Sequence, residues 1–205
     1  MHSGKIIIIS GPSGSGKTTL HKKLLLSNRL KKKLVKSISE TTRPRRLEEE
    51  NGRDYLFLTT KQFLHKIKTG HFLEWQKVFE NYYGTPKKNI ESLLKEGKNV
   101  LLCIDVKGAA VVRREFPQAV SLFIQTPSFS VLKKRLLVRG SETKAALKIR
   151  LHTARQELLD AKNYNYIVIN DDLGEAVKKL EAILEKELLP FSKGRFPEID
   201  NRNHM

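Results

Sequence analysis

The 205-residue chain has one cysteine, one tryptophan and no apolar run approaching the roughly 20 residues that span a bilayer. A lone cysteine excludes a disulfide framework and a thiolate metal cluster, and it suits a reducing cytoplasm. Cys103 stands inside the run Val100-Leu101-Leu102-Cys103-Ile104, which reads as a buried small apolar residue rather than a nucleophile. The apolar stretch near the N-terminus is too short for a signal-peptide core. Acidic residues are scarce as well: 22 Asp and Glu face 39 Lys and Arg, a formal charge of +17. Such a surplus raises the question of nucleic acid. The cations are scattered singly over helix faces, however, and the densest run, Lys31-Lys32-Lys33, carries no interleaved aromatics of the kind that stack bases. Neither a specific nucleic-acid partner nor a membrane is expected, and a basic protein for small anionic ligands is the simpler reading. The six histidines fit no metal-ligand or triad spacing and read as surface residues.

What is present begins at Ile6-Ile7-Ile8-Ile9, followed by Gly11-Pro12-Ser13-Gly14-Ser15-Gly16-Lys17-Thr18. This is the full G-x-x-x-x-G-K-[ST] phosphate loop in strand-then-helix context. Its glycines let backbone N–H groups curl around a polyphosphate, and the helix behind adds its positive end. Lys17 supplies a point charge to the β and γ oxygens, and the Thr18 hydroxyl suits a bridging magnesium ion. A glycine-rich turn can serve packing alone, but the spacing, the Lys-Thr pair and the strand together favour a Mg-nucleoside triphosphate.

Strand-like apolar runs at 5–10, 35–39, 99–104, 119–125 and 166–170 alternate with helix-like stretches at 17–26, 87–96, 107–115, 128–139 and 173–188. That alternation predicts an α/β fold, a parallel sheet flanked by helices, within a length that suits one domain. Between the second and third strands the texture changes to short aromatic strands: Tyr55-Leu56-Phe57-Leu58, Phe72-Leu73-Glu74-Trp75 and Tyr82-Tyr83. With a turn at Asn51-Gly52 and a helix from Thr60 to Gly70, this reads as an inserted mixed or antiparallel subdomain. A second insert, at about 130–158, is basic and mainly helical.

A phosphate loop with two inserts suggests a phosphoryl-transfer enzyme that closes over two substrates to exclude water. The first insert opens with Ser39, Arg43, Pro44, Arg45 and Arg46, followed by Tyr55. Planar guanidinium groups with neighbouring hydroxyls match a phosphate monoester. Glu74 is suited to guanine, because one carboxylate can accept from both its N1–H and its N2 amino group, and adenine offers no such pair. Thr85, just after Tyr82-Tyr83-Gly84, adds a hydroxyl for the same purine. Singly, each of these residues also reads as an exposed strand position, a core tyrosine or a solvated turn.

Together the loop, Ser39-Glu40-Thr41-Thr42-Arg43, Asn51-Gly52-Arg53-Asp54-Tyr55, Phe72-Leu73-Glu74-Trp75, Asn81-Tyr82-Tyr83-Gly84-Thr85, Ile104-Asp105 and Arg135 with Arg139-Gly140 resemble the guanylate kinase family. The resemblance implies transfer of a phosphoryl group from ATP to GMP with Mg²⁺, in purine nucleotide metabolism, with tolerance of dGMP left open. It further implies that Ser39, Arg43, Arg46, Tyr55 and Tyr83 hold the GMP phosphate, that Glu74 and Thr85 read the guanine, and that Asp105 supports guanine or metal. Residues 11–18 and Arg135 serve ATP, while Lys17, Arg43, Arg139 and Arg150 neutralise the transferring group. The implied layout is one domain over 1–190, with core segments 1–36, 97–125 and 159–190, a GMP-binding insert at 37–90 and a lid at 130–158. A disordered tail follows at 191–205, and the assembly is a monomer or weak homo-oligomer.

Two positions depart from the family pattern. Pro44-Arg45-Arg46 replaces Arg-x-Pro-Arg, leaving Arg46 as the preferred match and Arg45 as the reserve, and Cys103 replaces the first acid of Asp-Ile-Asp. Three other classes stay in view. A kinase for another nucleoside monophosphate would leave the Glu74 carboxylate unpaired. A phosphopeptide-binding scaffold would not need the intact Gly16-Lys17-Thr18, and a nucleic-acid binder would show salt-dependent retention without turnover.

Overall fold

Four consecutive isoleucines make sense only in a strand buried on both faces, and β1 (Ile6–Ser10) is the central strand of a five-stranded parallel sheet. The computed structural model describes residues 4–78, 80–138 and 144–188. Chain order continues through α1 (Lys17–Leu26), β2 (Leu34–Lys36), β3 (Glu40–Thr41), β4 (Leu56–Phe57), α2 (Thr60–Lys68), β5 (Phe72–Val78) and β6 (Asn81–Pro86). It then runs α3 (Lys87–Lys95), β7 (Asn99–Cys103), α4 (Val106–Glu115), β8 (Val120–Gln125), α5 (Phe129–Val138), α6 (Lys144–Leu159), β9 (Tyr166–Ile169) and α7 (Leu173–Leu188).

The large sheet has the order β2-β7-β1-β8-β9. Ile7 and Ile9 pack with Leu20 and Leu24 of α1 and Leu180 and Leu184 of α7. Ile6 and Ile8 face the other way, onto Ile90 of α3 and Val106, Ala109 and Val112 of α4. Register places Ile9 beside Cys103, so the loops after β1 and β7 emerge side by side at the carboxyl edge of the sheet, where ligands of such folds gather.

The insert is a second sheet of order β4-β3-β6-β5, with β3–β4 parallel and the β3–β6 and β5–β6 pairs antiparallel. A capping box between Thr59 and Gln62 starts α2. Phe63 of α2 is fully buried and stacks on Phe72 and Tyr82 at 4.5 and 5.5 Å. Phe72 and Tyr82, from the aromatic runs of the sequence, thus join Phe63 in the small core of this layer, whereas Trp75 of the same runs is exposed.

All five expected core strands and their helices are present; most ends agree to within a residue, and the second strand is shorter than expected, stopping at Lys36 rather than Ser39. The expectation of surface histidines fails at His21 of α1, which is 5% exposed and lies near Lys36 and Leu101 of the core sheet. Residues 139–143 and 189–205 lie outside the described residues, and with them Arg139, Gly140 and the tail. Among the described residues no helix is long and apolar enough to cross a membrane.

Candidate active site

The phosphate loop leaves β1 and ends at Gly16, whose φ of +91° lies in the left-handed region that favours glycine. A Cβ there would also sit 2.2 Å from the Asn170 side-chain amide, which in turn donates to the Ser15 carbonyl at 2.7 Å. Asn170, just past β9, thus braces the loop from behind. Lys17 opens α1 and donates to the carbonyls of Gly11 and Pro12 at 2.5 and 2.9 Å.

A cavity of about 220 Å³ joins this loop to the insert. Gly11, Ser13, Gly14, Gly16, Lys17 and Thr18 form one wall, and Ser39, Tyr55, Glu74 and Tyr83 form the facing one. Asp105, Cys103 and Glu157 close the floor between them. Pro12 and Ser15 are buried inside the loop itself. A wider opening of about 770 Å³ continues past Tyr55 and Tyr83 to Arg43, Arg46, Lys22 and Lys23.

Arg43 is held by both carboxylate oxygens of Glu49, at 2.8 and 3.0 Å, and lies over the rings of Tyr55 and Phe57. Burial works against its charge, but the Glu49 hydrogen bonds prevail and raise its pKa. Arg46 is exposed and lines the wider opening, whereas Arg45 turns back to the Glu49 carbonyl at 2.8 Å. This favours Arg46 over Arg45 as the residue facing an incoming anion.

Glu74 faces Thr85 across the β5–β6 pair, and the Thr85 hydroxyl donates to Oε1 at 2.5 Å. Both are buried, so Glu74 is no exposed strand residue. Burial lifts its pKa to about 7, against the Thr85 hydrogen bond, with the nearby Asp105 adding to the rise. Asp105 caps α4 by accepting from the Gly108 N–H at 2.7 Å, and burial raises its pKa too. That capping role was not read from the sequence, although Asp followed by a helical run is its usual signature.

Glu157 of α6 is a further cleft residue that the sequence reading missed. It lines the main cavity near the Ser13 backbone, and burial raises its pKa to about 7 despite nearby Lys17. Arg135 of α5 donates to the Asp171 carbonyl at 3.3 Å and lines a separate cleft with Gly14, Gly16, Thr19 and Asn170. Arg150 lies half-buried on α6, outside the lining of the main cavity.

Among the described residues, no three His, Cys, Asp or Glu side chains converge as a metal cage. The Thr18 hydroxyl and Asp105 carboxylate are hard oxygen donors at the cleft, which fits an ion held mainly by phosphates and water, as Mg²⁺ is.

The guanylate kinase family model matches residues 3–187. Guanylate kinase of Thermotoga maritima is 41% identical over 186 residues, covering 90% of this chain and 87% of that protein. Its counterpart in Clostridium perfringens strain 13 is 46% identical over 184 residues, with 90% and 84% coverage. The crystal structure of guanylate kinase from Anaplasma phagocytophilum superposes with a TM-score of 0.75 at 32% identity, covering 93% of this chain and 89% of that one. By sequence and by structure, the chain belongs to the guanylate kinase family.

Proposed function

We propose that this chain transfers the γ-phosphoryl group of ATP to GMP, giving ADP and GDP, in the cytoplasm and as a monomer or weak homo-oligomer. The observation that carries this reading is the single cleft with a phosphate loop on one wall and Ser39, Tyr55, Glu74 and Tyr83 on the other. Family membership and relatives named guanylate kinase support the same reading.

In this account residues 11–18 cradle the ATP phosphates, and Arg135 serves ATP from the adjoining cleft. Ser39, Arg43, Arg46, Tyr55 and Tyr83 receive the GMP phosphate, and Glu74 reads N1–H and N2 of guanine with Thr85 behind it. Thr18, with Asp105 nearby, would hold Mg²⁺, which when bound neutralises phosphate charge. The attacking atom is an oxygen of the GMP phosphate, already anionic, so no general base is needed. Catalysis is then alignment and charge compensation by Lys17, Arg43 and the lid arginines Arg139 and Arg150; arginine fingers contribute roughly 10³–10⁵ in rate elsewhere. Residues 37–90 act as the acceptor-binding insert and 130–158 as the lid over a core formed by 1–36, 97–125 and 159–190.

The test is product analysis after incubation with ATP, Mg²⁺ and GMP. ADP and GDP formed in equal amounts support transfer, whereas ADP with free phosphate and unchanged GMP would refute it.

A further inference from the structure

Residue 108 is a glycine in the first turn of α4, where helix propensity disfavours glycine relative to alanine. Its surroundings show what it leaves room for. A Cβ at this position would lie 2.5 Å from Oε2 and 3.0 Å from Cδ of Glu74, with Asp105 Oδ1 next at 3.5 Å. The first separation is closer than non-bonded atoms tolerate, the second is tight enough that the carboxylate must give way, and the third is ordinary contact. The missing side chain therefore makes space chiefly for one carboxylate.

That carboxylate is seated from two sides. Thr85, across the strand pair, fixes Oε1 through its hydroxyl at 2.5 Å. Gly108 lets Oε2 come down against the start of α4, where the positive end of the helix favours an anion. Asp105 takes the Gly108 N–H at 2.7 Å and so holds the first turn of the helix in place beneath it.

We propose that Gly108 is a specificity-determining residue, whose lack of a side chain seats the Glu74 carboxylate in the geometry that accepts guanine. The proposal rests on the reading of Glu74 as the guanine acceptor. A methyl group at 108 meets the far end of a flexible side chain, so the fold yields cheaply: Glu74 swings away, lengthening its bond to Thr85 and displacing the oxygen that guanine must meet.

Gly108→Ala tests this in the full chain. With the helix favoured and the donor site untouched, the melting temperature should hold or rise. Misplacing a reacting partner by about an ångström costs on the order of 100-fold, so kcat/KM for GMP should fall about 10- to 100-fold while KM for ATP stays within about twofold. A second variant locates the effect. Glu74→Asp withdraws the carboxylate by one methylene, so adding Gly108→Ala to Glu74→Asp should cause little further loss. An unchanged kcat/KM for GMP in Gly108→Ala, or the same fold-loss in both backgrounds, would overturn the proposal. Absence of GMP turnover in the unsubstituted protein would overturn the acceptor reading and this proposal with it, and it is seen before any substitution is made.

Discussion

Glu49 grips Nη2 of Arg43 with both of its oxygens, at 2.8 and 3.0 Å, so the arginine that we assign to the GMP phosphate is already paired. The same carboxylate accepts from the Arg46 N–H at 3.0 Å and so shapes the turn that carries both arginines. Burial opposes ionisation of Glu49, yet the hydrogen bonds from Arg43 and Arg46 hold its pKa below the usual range. It is ionised throughout the neutral range and can orient Arg43 over Tyr55.

Glu49→Gln should loosen that arrangement without emptying the space. A charge-assisted hydrogen bond is worth about 1.5–3 kcal/mol, so KM for GMP should rise roughly tenfold or more. KM for ATP, measured in the same assay, should hardly move. Equal effects on both substrates would mean that Glu49 supports the whole cleft rather than the arginine.

The pH dependence of GMP binding should carry the signature of Glu74. Burial raises its pKa to about 7, and only the carboxylate form accepts from guanine N1–H and N2. Between pH 6 and pH 8 its ionised fraction rises about tenfold, so KM for GMP should fall by about the same factor. The phosphate of GMP titrates in this range as well, and Glu74→Gln serves as the control that keeps that contribution. An identical pH profile in the variant would contradict the assignment.

His21 should make the fold sensitive to acid. Burial lowers its pKa from 6.5 to about 4, Lys36 assists, and the Leu101 carbonyl opposes, while Nε2 has no partner. A depressed histidine contributes stability that is present above pH 6.5 and is lost as pH falls toward 4, about 3 kcal/mol in all. Glu74 runs the other way, since its raised pKa favours the fold below pH 4.5 and that contribution is lost as pH rises through 7. The comparison that isolates His21 is urea unfolding of the protein against His21→Gln at pH 7.5 and pH 4. The protein should lose up to about 3 kcal/mol more than the variant over that interval. A difference between the two that does not change with pH would exclude a neutral, buried His21.

The core of the fold was legible because its signals are local. Ile6 to Ile9 followed by the glycine loop specify a buried strand, a turn and a helix start within a dozen residues. The aromatic runs marked the insert for the same reason. Strand β3 was not legible, since Glu40 and Thr41 are two residues whose pairing with β4 and β6 is set by partners far along the chain. Glu157 was missed because one acid among the lysines and leucines of α6 looks like a solvated helix face. Its place beside Ser13 and Lys17 in the cavity is set only by tertiary packing. His21 misled for a similar reason: between Leu20 and Lys22-Lys23 it reads as exposed, and only tertiary packing, with Lys36 and Leu101 of the core sheet beside it, buries it. Residues that act through backbone donors or through absent atoms, such as Gly108, leave no pattern in the chain itself.

The most direct test of the account is ATP consumption by the purified protein with Mg²⁺, measured against GMP, AMP, UMP and CMP in parallel. Turnover confined to GMP is the predicted result, because only guanine offers the paired donors that the buried Glu74 can accept. Comparable turnover with AMP, or none with any of the four acceptors, would contradict it.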